Sequence, residues 1–292
     1  MSIRSQRVDG QRREQRREQT GEHTAGLYRN DVVAPLLADL AAVDDDALEQ
    51  YRTLGFLPVR TVLTPRQVEE SLDALIGLIE SAPDGIDLQF EAWAADHLDS
   101  LHGEERMDAV RKLMSFATLD RRLSTIAHHP GVLRIVRALI GSSEVVLLQD
   151  MALLKPPGGG REKPWHQDKA FFNIDLDAPI IGVWIALDDA TFENGCMHVV
   201  PGSHREGPVP HFARRDWQIC DHDVATARDV AVPLPAGGLL FFDGLIHHGT
   251  PTNRTDTRRR ALQFHFIARD AVRITEEDRL AVFGLEGRGA EC

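Results

Sequence analysis

The fold class is decided by the second half of the chain, where residues 180–203 read IIGVWIALDDATFENGCMHVVPGS. Two short apolar runs, at residues 180–187 and 197–200, are followed by turn-forming residues at 193–195 and 201–203. Short apolar runs bounded by turn signals are typical of β-strands. The pattern recurs at residues 145–154, 230–234, 239–242 and 261–268, with Pro/Gly-rich turns at 156–160 and 235–238. We therefore expect an antiparallel barrel or jelly roll.

The first half of the chain carries helical signals instead. A short helix is expected around residues 45–53, ahead of a strand at residues 55–59. Thr64-Pro65-Arg66-Gln67 combines an N-cap, a proline at the first helical position and a capping-box glutamine. Residues 130–140 fit an amphipathic helix that ends at Gly141, and residues 83–114 are expected to form a helical insertion. The fold class is thus mainly β with flanking helices.

The chain length is compatible with one domain. We expect a single domain over residues 27–292, with a helical N-terminal part and a jelly-roll core from about residue 144 to 268. Residues 1–26 are rich in Arg, Gln and Glu and nearly lack apolar side chains. Because such a segment cannot bury enough surface to offset its ordering entropy, a disordered tail is expected there.

Composition limits the partners and the compartment. The net charge of −12 argues against a nucleic-acid partner, and no stretch approaches the roughly 20 apolar residues of a membrane span. Cys196, Cys220 and Cys292 are widely spaced and form no CxxC pair, which argues against a disulfide framework or a structural zinc site. No export or organelle address is visible. A reducing, cytoplasmic location is expected, and the sequence does not indicate an oligomeric state.

Candidate metal ligands occur in two separate segments. His166 and Asp168 follow a glycine-rich loop in an extended stretch, where residues i and i+2 point the same way. A second imidazole comes from His247 or His248, which adjoin near the end of a predicted strand. Two imidazoles and one carboxylate leave open positions that suit Fe(II), a keto acid and dioxygen. Strand register cannot be fixed to one residue from sequence, so both histidines remain candidates.

A strand after this segment carries a candidate anion-binding arginine. Alternation places Arg260, Leu262, Phe264 and Phe266 on one face and Arg259, Ala261, Gln263 and His265 on the other. A buried guanidinium needs an anionic partner, and a dicarboxylic co-substrate held by the metal would present its distal carboxylate there. Arg258 and Arg260 compete with Arg259 unless the strand is regular.

An ordered set of motifs carries a family resemblance. It consists of Trp165-His166-Gln167-Asp168, Gly182-Val183-Trp184-Ile185-Ala186-Leu187-Asp188-Asp189-Ala190, Glu193-Asn194-Gly195, Pro201-Gly202-Ser203-His204, and His248-Gly249-Thr250 with Arg259. From about Phe56 to Ala268 the chain resembles the phytanoyl-CoA dioxygenase family. The resemblance implies a double-stranded β-helix (cupin-like jelly roll), an Fe(II) centre, and 2-oxoglutarate decarboxylated to succinate as the substrate is hydroxylated.

The resemblance also implies roles for individual residues. His166, Asp168 and His248 match the iron ligands, and alignment on His-Gly-Thr favours His248 over His247. Arg259 matches the residue that binds the distal carboxylate of 2-oxoglutarate. Nearby positions that contact the co-substrate or line its pocket are matched by Gln167, Thr250 and Trp184.

The expected function is Fe(II)- and 2-oxoglutarate-dependent hydroxylation of a small organic molecule by dioxygen. A natural-product intermediate and an acyl-CoA-like substrate are both compatible with the motifs. Asp168 disfavours halogenation, whereas desaturation or ring closure would use the same oxidant. The alternatives are a non-redox metal-binding cupin, a ligand-binding jelly roll, or an interaction module that uses the basic tail. Arg259 discriminates, because only a keto-acid enzyme needs an anion site opposite the metal.

Three further histidines and one arginine pair are not assigned to the metal or co-substrate site. For His198, His204 and His211, surface or turn positions are favoured over contacts with the substrate or with the metal ligands. Arg214-Arg215 is the only notable basic pair in the variable segments that could meet a CoA phosphate, and a solvated loop is expected there.

Overall fold

The computed structural model describes residues 26–94, 97–284 and 292. The helices in these residues are α1 (Asp45–Leu54), α2 (Pro65–Ser81), α3 (Gly103–Asp108), α4 (Arg121–Ala127), α5 (Pro130–Ile140) and α6 (Glu276–Phe283). The strands are β1 (Leu37–Asp39), β2 (Phe56–Thr61), β3 (Asp87–Phe90), β4 (Val110–Met114), β5 (Val145–Lys155), β6 (Lys163–His166), β7 (Ile181–Ala186), β8 (Met197–Val199), β9 (His211–Ala213), β10 (Trp217–Ile219), β11 (Val230–Val232), β12 (Leu239–Asp243), β13 (His248–Thr250) and β14 (Arg259–Ala268).

Two large sheets enclose the β core, and β9 and β10 form a separate two-stranded sheet. The main sheet has the strand order β1-β2-β12-β7-β14-β5-β4-β3, and the smaller sheet has the order β11-β8-β13-β6. Between them lies an apolar core to which both contribute, with Trp184 and Phe242 from the main sheet and Met197 and Val232 from the smaller one. Because an apolar strand face must be buried against another layer, these sheets pack face to face as in a jelly roll.

Helices cover the other face of the main sheet. The predicted capping box starts α2, where the amide of Thr64 donates to Gln67 Oε1 at 2.9 Å. As expected, α5 ends at Gly141, which adopts a left-handed φ of 76°. Leu75 of α2 and Ile135 of α5 share one buried core with Phe264 of β14. The apolar face predicted for residues 262–266 is therefore the face that the helices cover.

The prediction of a helical insertion at residues 83–114 is largely wrong. This segment forms the antiparallel pair β3 and β4, and β4 extends the main sheet by pairing with β5. Among the described residues of this segment, only the short helix α3 and two 3-10 turns are helical. Val110 and Leu113 are buried while Arg111 and Lys112 between them are not. This spacing breaks the strict alternation by which an amphipathic strand is recognised in sequence.

The cysteine spacing argued against a disulfide framework, but the structure contains one disulfide. Cys220 and Cys292 are disulfide-bonded, with their Cα atoms 5.4 Å apart, whereas Cys196 is free and buried. Seventy-two residues separate the pair, and sequence spacing alone gives no sign of such proximity. Because disulfides persist mainly in oxidising compartments, the pair removes the cysteine argument for a reducing location.

Two further expectations concern the ends of the chain and the membrane. The tail expected at residues 1–26 lies outside the described residues, except for Gly26. Among the helices described, none is both long and apolar enough to cross a membrane.

Candidate metal centre

Three predicted metal donors meet where β6 and β13 lie side by side. His166 ends β6, Gln167 is extended (φ −113°, ψ 126°), and Asp168 begins a 3-10 turn. The antiparallel pairing places His248 directly opposite His166. Asp168 Oδ1 lies 3.2 Å from His166 Nε2 and 3.6 Å from His248 Nε2. One donor atom from each of the three lies within 4.8 Å of the others, so together they could hold one metal ion.

Backbone contacts fix which imidazole nitrogen faces the centre. His166 Nδ1 lies 2.8 Å from the Pro164 carbonyl and His248 Nδ1 lies 3.1 Å from the Ile246 carbonyl. A carbonyl can only accept, so each Nδ1 carries the hydrogen and each Nε2 keeps a lone pair for a metal. Burial, with His248 and Lys163, lowers the pKa of His166 to about 3. That ring is therefore neutral at physiological pH.

The carboxylate of Asp168 is charged, and its two oxygens contact different residues. Burial would raise its pKa, but His248 and His265 outweigh that effect and hold the pKa well below its ordinary value. Its second oxygen, Oδ2, lies 3.0 Å from Gln263 Nε2 and 2.7 Å from His265 Nε2. Oδ1 therefore remains for a metal. Gln263 and His265 were predicted to share the inward face of β14, but without a role.

A cavity of about 320 Å³ opens beside this cluster. Arg259, 2% exposed, lines it together with Trp184, and its Cζ lies 5.5 Å from the centre of the Trp184 ring. Arg259 Nε and Nη1 have no hydrogen-bond partner among the described residues. Burial lowers the pKa of Arg259 to about 10. A buried guanidinium with unpaired donors fits a carboxylate ligand.

Comparisons with known proteins agree with this geometry. Residues 51–261 match the family model described as Phytanoyl-CoA dioxygenase (PhyH). The chain belongs to the phytanoyl-CoA dioxygenase family. A Caenorhabditis elegans protein named "Probable phytanoyl-CoA dioxygenase" is 32% identical over an alignment of 179 residues, and the match covers 56% of each chain. The chain thus spans little more than half the length of this relative.

Solved structures of other proteins share the fold. ThoJ, a non-haem monooxygenase, is 26% identical with a TM-score of 0.63, and the match covers 79% of this chain and 80% of ThoJ. EvdO2 from Micromonospora carbonacea var. aurantiaca, complexed with 2-oxoglutarate, is 24% identical with a TM-score of 0.60 over 84% and 96% of the two chains. The jelly-roll fold is confirmed. The donor set of two imidazoles and one carboxylate fits an iron ion, and the buried Arg259 beside it fits a carboxylate ligand.

The structure distinguishes Arg259 and His248 from the neighbouring residues that were alternatives to them. Arg258 turns outward to Asp108, with an Nε to Oδ1 distance of 2.7 Å. Arg260 also does not line the cavity, because its guanidinium pairs with Asp188, with an Nη2 to Oδ1 distance of 2.7 Å. His247 lies outside the three-residue cluster.

The three predicted co-substrate contacts do not all reach the cavity. Trp184 and Thr250 line it. Gln167 does not line the cavity, and its side chain forms hydrogen bonds with three backbone groups elsewhere. Its Nε2 donates to the carbonyls of Gly207 at 2.9 Å and Leu245 at 2.7 Å, and its Oε1 accepts from Val209. Gln167 thus braces the segments that flank the metal centre.

Two of the other histidines are buried, contrary to the expected surface or turn roles. His198 Nδ1 lies 3.0 Å from Asp229, and His211 Nε2 accepts the amide of Gln167 at 3.0 Å. His204 does lie in a turn, the 3-10 segment Ser203–Glu206.

The solvated loop expected at Arg214-Arg215 is wrong for Arg215. Its side chain is 14% exposed and pairs with Glu162 at 2.9 Å and Asp221 at 2.8 Å. Sequence patterns do not reveal ion pairs between such distant segments.

Proposed function

We propose that this protein is an Fe(II)- and 2-oxoglutarate-dependent dioxygenase that hydroxylates a small organic molecule. One atom of dioxygen would enter the substrate and the other succinate, with carbon dioxide released from 2-oxoglutarate. The observation that carries the proposal is the meeting of the His166, Asp168 and His248 donors with the unpaired guanidinium of Arg259 in one cavity.

In this proposal the cavity residues position the two cofactors. His166, Asp168 and His248 would hold the iron through their free Nε2 and Oδ1 atoms. Bound Fe(II) would supply the activation of dioxygen that the side chains cannot provide. Arg259 would bind the distal carboxylate of 2-oxoglutarate as a planar fork.

Trp184 and Thr250 complete the walls of the co-substrate site. The indole Nε1 of Trp184 is buried with no acceptor among the described residues, so it is available to the same carboxylate. Thr250 ends β13 two residues after His248, which couples the cavity wall to a proposed ligand.

The size of the cavity supports a small-molecule substrate. Its volume of about 320 Å³ lies at the lower end of ordinary ligand pockets and must also hold 2-oxoglutarate. Only a small molecule, or the small reacting end of a larger one such as an acyl thioester, would fit beside it. We propose that residues 27–292 form one functional domain, because β5, β6, β13 and β14 all contribute to this cavity.

The proposal is tested by anaerobic titration of the Fe(II)-loaded protein with 2-oxoglutarate. Chelation of iron by the keto acid gives a visible charge-transfer band, which we expect for the wild type. His248→Ala should lose the band, and Arg259→Ala should need about 100-fold more 2-oxoglutarate because it loses a charged fork. A folded, iron-loaded wild type without a band would rule out the keto-acid mechanism and favour the non-redox cupin reading.

A further inference from the structure

Lys155 is a second buried cation at the Arg259 end of the cavity. It is the last residue of β5, and its Cα registers with that of Arg259 at the start of β14. Both side chains line the cavity, at 5% and 2% exposure. Neither forms an ion pair with a carboxylate in the described part of the chain. Side chains directly opposite in neighbouring antiparallel strands lie close together, so two like charges meet here.

Contacts with two backbone carbonyls fix the ammonium group of Lys155. Its Nζ donates to the carbonyl of Thr250 at 3.1 Å and to that of Pro251. An ammonium has three hydrogens, so these contacts leave one donor for a further acceptor. Lys155 therefore has a fixed position and an incomplete set of partners.

Two glycines of the turn motifs make room for this arrangement. A Cβ at Gly195 would lie 2.4 Å from the Pro251 carbonyl oxygen, and a Cβ at Gly160 would lie 2.5 Å from Lys155 Cβ. Real side chains do not tolerate such distances, so a larger residue at either position would displace the lysine or its acceptor. The Glu193-Asn194-Gly195 and Gly158-Gly159-Gly160 turns thus shape the cationic end of the cavity.

No carboxylate among the residues that the structure describes pairs with Lys155 or Arg259. Burial, followed by the charge of Arg259, lowers the pKa of Lys155 well below its ordinary value. Buried charges are costly unless an opposite charge accompanies them. A carboxylate between the two groups would relieve both, and the distal carboxylate of 2-oxoglutarate is the anion that the proposed function brings there.

We propose that Lys155 is a specificity-determining residue for the co-substrate, which adds a second positive charge at the distal carboxylate held by Arg259. The inference rests on the proposed function. It predicts that Lys155 discriminates between keto acids: it favours a dicarboxylate over a keto acid that lacks the distal carboxylate. The iron-chelating end of the keto acid should not depend on it.

The experiment compares two keto acids on two uncharged variants. Anaerobic Fe(II)-loaded wild type, Lys155→Met and Lys155→Gln are titrated with 2-oxoglutarate and with 2-oxobutyrate, which lacks the distal carboxylate. The charge-transfer band and the shift in melting temperature report binding without turnover. We expect both variants to bind 2-oxoglutarate at least about tenfold more weakly, since each loses a charge-assisted contact. Binding of 2-oxobutyrate should stay within about twofold.

The variants separate the charge of Lys155 from its hydrogen bonds. Lys155→Gln keeps donors for the two carbonyls but has no charge, so normal 2-oxoglutarate binding by this variant would overturn the inference. An equal loss for both keto acids would also overturn it, because the lysine would then only support the backbone. The matched control is Arg258→Met, which removes a cation adjacent in sequence to Arg259 but directed at Asp108. A wild type without a band would instead refute the proposed function itself.

Discussion

The metal end and the Arg259 end of the cavity differ in how many of their buried polar groups have a hydrogen-bond partner within the protein. At the metal end, both Nδ1 atoms of His166 and His248 face carbonyls and Asp168 Oδ2 has two partners. At the other end, two nitrogens of Arg259 and the indole nitrogen of Trp184 have none among the described residues. The metal end is arranged before any ligand arrives, whereas the distal end is completed only by an anion. Substitutions at the two ends should therefore affect different ligands.

Of His265→Phe, Trp184→Phe and Asp216→Asn, we expect His265→Phe, at the metal end, to have the largest effect on ligand binding. This change removes a 2.7 Å contact to Asp168 Oδ2, so the carboxylate is no longer held toward the two imidazoles. Partners of metal ligands commonly contribute 10- to 100-fold to metal affinity, and we expect a loss of about that size for Fe(II). Calorimetric titration of the apoprotein with the metal measures it.

Gln263→Leu provides a graded control at the same oxygen. It removes the longer contact, 3.0 Å, and leaves His265 in place, so a smaller loss of metal affinity is expected. If His265→Phe instead weakened 2-oxoglutarate and spared the metal, the separation between the two ends would be wrong.

A smaller effect is expected at the distal end, from Trp184→Phe. The change keeps an aromatic ring near Arg259 but removes the unpaired indole N–H. Loss of one hydrogen bond to a carboxylate should weaken 2-oxoglutarate by about tenfold, while Fe(II) affinity stays unchanged. Band titration and metal calorimetry on the same preparation check both parts. Equal weakening of both ligands would point to general repacking, because Trp184 also lies in the core between the sheets.

Sequence patterns predicted the strands with long apolar runs and the helices with clear capping residues. The runs of β5, β7, β12 and β14, the capping box of α2 and the glycine end of α5 were all predicted. The strands β9, β10 and β13 were not predicted, because each has three residues and no apolar run marks it. The pair β3 and β4 was missed because charged residues interrupt the apolar positions. Local patterns thus report local structure, whereas pairing between distant segments leaves no local sign.

The same distinction explains the candidate site. Motifs identified His166, Asp168, His248 and Arg259, since each belongs to a recognisable local pattern. Lys155 was missed because a lysine at the end of an apolar strand looks like a solvated terminus. Its burial depends on turns that come from distant parts of the chain.

Lys163 and Arg111, two cations that line the cavity, differ from Lys155 and Arg259 at the distal end because they pair with a carboxylate of the protein. Asp216 Oδ2 lies 2.6 Å from Lys163 Nζ and 3.1 Å from Arg111 Nη2. Burial would raise the pKa of Asp216, but Lys163, Lys112 and Arg111 outweigh it and hold the pKa far below its ordinary value. A depressed carboxyl pKa adds stability above the unfolded value, about 3.9, and this stability is lost as pH falls toward the folded value.

Asp216→Asn should therefore lower stability more at neutral than at acidic pH. We expect a loss of about 1–3 kcal/mol in the free energy of unfolding at pH 7, because the cations lose their counter-charge. The gap to the wild type should narrow below pH 4, by about 1 kcal/mol at pH 3. Urea unfolding across this range measures it, and a gap independent of pH would show that ionisation of Asp216 contributes nothing. The affinities for the metal and for 2-oxoglutarate should change by less than about twofold. Lys163 and Arg111 already pair with Asp216 within the protein, whereas the buried nitrogens of Arg259 have no such partner among the described residues and are the ones expected to bind a ligand.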